Sequence, residues 1–304
     1  MNISMLREWA TDKERFLSID DYLEFGTAFL TYRAESGLQA ELVAQNNPQY
    51  RFFQFKSDAD FQLTRPINTN LFYSLEEFEV ATNHFIEALE GVRDIDFVPE
   101  DKHRKALNQV IYTAQQSIGA TLDALPASRS NTARKLNGQF FERFIGLAIN
   151  RAGIECRSGN HSVPVKDDQG NTQFDMRYQH DLMVEVEGDI KAIGSVKTSN
   201  KDRIDKVFID KFLYNRLTDT ATPHFAIFLN DVQRKGKEPN YGTGQTFLPG
   251  HFKGYTVKLT SLDGVYYCDL LPQMETDPLL AKHISRIDRF FTDDLVSFVE
   301  NGEK

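Results

Sequence analysis

The stretch from Asp181 to Asp231 leaves this chain few architectures to choose from. DLMVEVE (181–187) and IKAIGSVKTS (190–199) are apolar, β-branched runs on either side of Gly188-Asp189, a pair suited to a hairpin turn. NKDRIDKVFIDKFLYNRL (200–217) has helical periodicity, with Asn200 placed to cap it. HFAIFLND (224–231) is then a nearly continuous apolar run, as in a strand covered on both faces. Hairpin, helix and buried strand in that order predict an α/β fold with a mixed central β-sheet flanked by helices.

Outside that stretch the patterns are helical on the N-terminal side and mixed on the other. SLEEFEVATNHFIEALEGV (74–92) and DKHRKALNQVIYTAQQSIGATLDAL (101–125) repeat apolar residues at three and four, and Ser74 with Glu77 forms a capping-box signature. PASRSNTARKLNG (126–138) reads as a polar connector. It suggests a mostly helical N-terminal region over 1–130 and a second domain over 131–304. GQFFERFIGLAINRAG opens the latter as a helix ending at Gly153, and KDDQGN (166–171) is a turn. YTVKLTSLDGVYYCDLL (255–271) reads as β-rich around Leu262-Asp263-Gly264, and LLAKHISRIDRFFTDDLVSFVE (279–300) as one closing helix.

The hairpin register brings chemistry together. With Gly188-Asp189 as the turn, Glu187 opposes Ile190, so Asp181 opposes Val196 and lies beside Lys197. Phosphodiester hydrolysis uses carboxylates to hold a divalent cation and often a lysine to position the attacking water. Asp181 and Lys197 could supply both. Within the hairpin the literal acid-x-Lys is Asp189-Ile190-Lys191, but this register puts it at the tip, far from Asp181. Ser195-Val196-Lys197 is preferred. Ser195 cannot be an anionic ligand, so a further carboxylate is needed, and the following helix offers Asp205 and Asp210.

Ser195-Val196-Lys197-Thr198-Ser199-Asn200-Lys201-Asp202-Arg203, followed by Asp210, resembles the Ser-x-Lys branch of the PD-(D/E)xK type II restriction endonucleases. In that branch the second acid of the motif sits on the helix after the lysine, thirteen or fourteen residues on; Asp210 is thirteen beyond Lys197, where Glu is usual. His180-Asp181 stands in place of Pro-Asp. The resemblance covers roughly 135–270 and implies a restriction-endonuclease-like catalytic domain whose site contains Asp181, Lys197, Asp210, Glu142 of FFERF and a structural Ser195. Asp181 and Asp210 would bind Mg²⁺. Members that read CC and GG, the EcoRII-like and SsoII-like enzymes, carry a basic-acidic-Arg triplet after the lysine, here Lys201-Asp202-Arg203. Guanine offers O6 and N7 to Arg or Lys, and cytosine offers N4 to a carboxylate, so the triplet suits neighbouring G·C pairs. Residues 247–269 are similar to C-terminal segments of the CCNGG readers.

The implied activity is Mg²⁺-dependent double-strand cleavage at a palindromic CCGG- or CCNGG-type site, leaving 5′-phosphates. The implied partners are double-stranded DNA, a second copy in a homodimer or a tetramer, and a companion DNA methyltransferase. The alternative is a catalytically silent DNA-binding protein on the same fold. A net charge of −9 speaks against nucleic acid only at first sight, since DNA needs a local basic surface. Lys191, Lys197, Lys201, Arg203, Lys206, Lys211 and Arg216 supply one. Aromatic candidates for stacking an extruded base are Tyr50-Arg51-Phe52-Phe53, Trp9 and Tyr32-Arg33. Cys156 and Cys268 are too isolated for a disulfide framework, no apolar run reaches membrane-spanning length, and MNISMLREWATDKERF lacks signal-peptide features. These observations lead to the expectation of a cytoplasmic protein without a membrane partner.

Overall fold

A computed structural model describes residues 2–35, 37–56, 63–201 and 203–300; Asp202 lies outside the described residues. The central sheet forms around the apolar run expected at 224–231. β7 (His224–Phe228) is buried at every position: Phe225 and Ile227 face one apolar cluster, Ala226 and Phe228 the other. On one side it pairs in parallel with β6 (Asp189–Lys197), which continues antiparallel through β5 (Thr172–Val186) to β4 (Glu155–Lys166). On the other side lie β10 (Gly264–Tyr267) and β11 (Ile284–Arg286), both parallel, giving the order β11-β10-β7-β6-β5-β4. This is the mixed, helix-flanked sheet that the hairpin-helix-strand order demanded.

One face packs on the N-terminal helices α1 (Ile3–Thr11), α2 (Ile19–Ala34), α3 (Leu75–Gly91), α4 (Asp101–Asp123) and α5 (Ser130–Arg151). The other packs on α6 (Ile204–Thr218) and α7 (Pro249–Lys258). Ser18 with Asp21 caps α2, and Ser74 with Glu77 caps α3, each bond satisfying an amide that helix geometry leaves open. α4 is buried all round over its last turns, and its polar residues turn inward: Gln115 bonds Asn137, and Ser117 and Thr121 bond carbonyls four residues back. The apolar cluster runs without a break from Leu6 through α5 and the sheet to Phe298, across the boundary expected near residue 130. No helix among the described residues is long and apolar enough to cross a membrane.

Several local expectations need correction. The hairpin turn is Glu187-Gly188, both at positive φ (51° and 86°), so Val186 opposes Asp189. An irregularity beside Lys191 then leaves Leu182 opposite Gly194, one residue from the expected register. Residues 130–138 are the first turns of α5, not a connector. Tyr255–Lys258 belong to α7: Pro249 starts that helix, and on Phe208 of α6 Phe252 packs edge-to-face at 5.6 Å while Tyr255 stacks at 5.5 Å. The closing helix is broken, because Ile284 leaves it to pair with Val265 as the sheet edge. The N-terminal region also contains an antiparallel sheet of β1 (Leu38–Val43), β2 (Tyr50–Phe55) and β3 (Ile67–Asn68). Tyr50, Phe52 and Phe53 lie in β2 and are fully buried, so they are core and offer no platform for a base.

Gly194 is where β6 meets its neighbours most closely. A Cβ there would stand 2.5 Å from the Phe225 ring and 3.2 Å from the Leu182 Cβ. Gly194→Val is therefore expected to lower stability by about 1–3 kcal/mol through overpacking. Urea denaturation measures it, and an unchanged midpoint would show that the strands have room the geometry denies.

Candidate active site

The site is built on an irregularity in β5. Gly159 pairs with His180 and Arg157 with Met183, so Asp181 and Leu182 together oppose Ser158 alone. This is a bulge, and bulges re-aim side chains next to sites. Before it, Tyr178 and His180 face α6; after it, Leu182 faces α5. Asp181 sits at the switch and points toward the C-terminal end of β6. There its Oδ2 accepts the Val196 N–H at 2.9 Å and the Lys197 ammonium.

α5 supplies the third member. Glu142 Oε1 accepts from Lys197 Nζ at 2.8 Å, so one ammonium is held by two carboxylates from different elements. The side chains of Glu142, Asp181 and Lys197 are 29%, 18% and 24% exposed, enough for a ligand to reach them. Burial, then the Asp181 charge, pushes the Glu142 carboxyl up; Lys197 and Arg203 oppose the shift. A cleft of about 470 Å³ opens beside Glu142 and Asp181.

The remaining expected residues fall in three places. Asp210 lies on the α6 side, where its carboxylate takes Lys206 Nζ at 2.5 Å and interacts electrostatically with His180 and Tyr178. His180 stacks flat on Tyr178 at 5.6 Å, and burial lowers its pKa to about 4, so it is a neutral core ring. Ser195 is half-buried opposite Ala226, on the same strand face as Ile193, which packs toward α6. Lys201 and Arg203 are exposed beyond the end of β6. The Asp189-Lys191 pair lies at the hairpin, 3.9 Å apart.

Two features escaped the reading of the sequence. The first is Asp231, fully buried after β7, which accepts from Asn200 N at 2.7 Å, Thr246 Oγ1 at 3.1 Å and Tyr267 OH at 2.7 Å. It anchors the backbone just before Lys201, and Asn200 in turn accepts from Ile204 N to start α6. The second is a groove of about 620 Å³ containing Arg134, Thr198, Lys201, Arg203, Gln233 and Arg234. Neither has a sequence signature, because both depend on segments far apart in the chain. A second cluster, His84, Glu87 and His103, lies between α3 and α4. His103 Nδ1 accepts the Glu100 N–H, so its proton is on Nε2, 3.1 Å from Glu87. The Glu87 contact is an ion-pair distance in which His103 Nε2 makes no hydrogen bond, and the three side chains lie close enough together to hold an ion.

With fold and site together, the architecture is the mixed α/β arrangement of restriction endonucleases. A solved structure described as the type IIP restriction endonuclease Kpn2I superposes with a TM-score of 0.69, covering 99% of both chains at 16% identity. A PspGI–substrate DNA complex (TM-score 0.44, 10% identity, 74% of this chain and 93% of that one) and an AgeI–DNA complex (0.42, 13%, 81% and 99%) are more distant. The fold assignment rests on the first. No family profile and no curated protein matches the sequence.

Asp231 also has a measurable signature. Burial raises its pKa from 3.8 to about 6. The folded state thus holds a proton that the unfolded chain releases. The associated stability is fully present below pH 3.8 and is lost as pH rises through about 6. By this linkage wild type should lose up to about 3 kcal/mol more than Asp231→Asn between those limits. Denaturant titrations of both proteins across this window test it, and parallel stability curves would remove Asp231 as the titrating group.

Proposed function

We propose that this chain is a type II restriction endonuclease that makes Mg²⁺-dependent double-strand cuts at a short palindromic DNA site. The observation that carries this reading is the convergence of Asp181 and Glu142 on Lys197 Nζ, beside a basic groove. The likeness to the solved restriction endonuclease supports it at the level of fold.

The donor set fits a hard divalent cation. Mg²⁺ is bound by one or two carboxylates together with water and phosphate oxygens, and the two carboxylates here already converge on one cationic centre. Asp181 and Glu142 would hold the ion. Asp210, the ligand expected from the resemblance, would join them on release from Lys206. A bound ion would polarise the scissile phosphate and lower the pKa of a water. Lys197, freed from its two carboxylates, positions that water and offsets charge developing on the phosphate. The Val196 N–H holds Asp181 in place throughout. Lys201, Asp202 and Arg203 are proposed to read G·C pairs of a CC/GG site, CCGG or CCNGG, with cleavage leaving 5′-phosphates. A palindrome calls for two-fold symmetry, hence a homodimer or a tetramer, and host protection calls for a companion DNA methyltransferase.

Lys197→Ala is expected to keep duplex binding within about twofold while cleavage falls by at least ~10³, as expected when a group acts in the transition state. Glu142→Gln should lose cleavage comparably and need higher Mg²⁺ for any residue of activity. Plasmid cleavage and duplex anisotropy measure both. Full activity of Lys197→Ala would sink the site. Sequence-specific binding by wild type without metal-dependent cleavage would instead support the catalytically silent alternative.

A further inference from the structure

The chain leaves β7 through Asp231 into a two-stranded ribbon of β8 (Val232–Lys237) and β9 (Asn240–Gln245) that belongs to neither sheet. Arg234, Lys235 and Lys237 are exposed on β8, against one acid, Glu238, at the tip. Gln233 and Arg234 face the 620 Å³ groove that also contains Lys201, Arg203 and Arg134 of α5. Arg65 lines the same groove, but Asp123 neutralises it through bonds of 2.8 and 2.7 Å. Among the described residues, Arg134, Lys201, Arg203 and Arg234 form no ion pair. In a chain of net charge −9, four such cations around one groove form a local site for a polyanion.

The ribbon is also held more firmly than two strands could hold themselves, since an isolated hairpin is marginal. The loop between β1 and β2 grips it. Asn46 Nδ2 donates to Thr243 O at 2.8 Å, Asn46 Oδ1 accepts the Thr243 N–H at 2.8 Å, and Gln45 N donates to Tyr241 O at 3.0 Å. Gly242 permits this approach: a Cβ there would lie 2.8 Å from Asn46 Oδ1. Arg234 is aimed as well. It donates to Leu63 O at 2.9 Å and lies 5.8 Å from the Tyr241 ring centroid, with the rest of its guanidinium left to the groove.

We propose that the β8–β9 ribbon is a second DNA-contacting arm, facing Lys201 and Arg203 across the groove, and that Asn46 is the positioning residue that sets it. The proposal rests on the endonuclease reading and gives the N-terminal sheet a task in substrate binding. Duplex backbone approaching the catalytic cluster would meet Arg134, Lys201, Arg203 and Arg234 around one groove. A two-stranded ribbon is narrow enough to enter a major groove.

The test uses the full chain, a random-sequence 30-base-pair duplex and EDTA, with anisotropy recorded over a NaCl series. Arg234→Ala should weaken binding roughly tenfold and lower the slope of log affinity against log salt by about 0.9, the loss of one phosphate contact. Arg234→Lys should restore the slope. Asn46→Ala should weaken binding several-fold, and adding Arg234→Ala to it should cost much less than in wild type, a coupling that a general loss of stability would not produce. Wild-type affinity and slope in Arg234→Ala would overturn the arm while leaving the endonuclease reading intact. Absence of duplex binding by the wild-type chain would overturn both.

Discussion

The Asp181 carboxylate is the contact on which the proposed site turns. It accepts a main-chain N–H and an ammonium through the same oxygen, so it fixes the end of β6 and orients Lys197 at once. It can do so because β5 carries one extra residue opposite Ser158. Without the bulge, regular alternation would put Leu182 on the same face as Tyr178 and His180, toward α6, instead of under α5. The bulge therefore serves packing and chemistry together: it closes the apolar cluster under α5 and places a carboxylate at its rim.

Two other buried carboxylates extend the arrangement outward from the strand ends. Asp231, after β7, joins the segment leading to Lys201 and Arg203 to the base of the β8–β9 ribbon through Asn200 and Thr246. Asp269, after β10, accepts from Tyr50 and Asn68 and so bolts the N-terminal sheet to the same edge. Burial raises both pKa values to about 6, a desolvation cost that three and two hydrogen bonds respectively offset. Polar groups so deeply placed constrain geometry more than they stabilise it. The N-terminal region is thus continuous with the site in its hydrogen bonding as well as in its core.

What the sequence made legible follows from how local the causes are. The hairpin, α6 and β7 could be read because alternation, helical period and an unbroken apolar run are properties of neighbours. The bulge at Asp181 has no Gly or Pro within β5 to announce it, and the expected hairpin register missed by one residue because the turn falls on Glu187-Gly188 and β6 carries an extra residue at Lys191. β2 hid among helices because Tyr50-Arg51-Phe52-Phe53 is buried nearly throughout and shows no alternation. Pro249 could have been read as a helix start, but the β-branched and aromatic residues of 255–258 argued for strand until packing on Phe208 decided the matter. In the site, Asp181 with Lys197 could be derived from register and Glu142 only from resemblance. Arg134, Asp231 and Arg234 meet across long stretches of chain, which no window of sequence displays.

The claim at the centre is that the Asp181–Lys197–Glu142 cluster cuts DNA at a defined site with a divalent cation. The direct measurement is to incubate the purified chain with unmethylated plasmid and phage DNA, in Mg²⁺ or in EDTA, and to sequence the ends. The account predicts discrete fragments in Mg²⁺ alone, 5′-phosphorylated and sharing one palindromic site containing CC and GG. An intact substrate under both conditions, with the protein folded and bound to DNA, would contradict it.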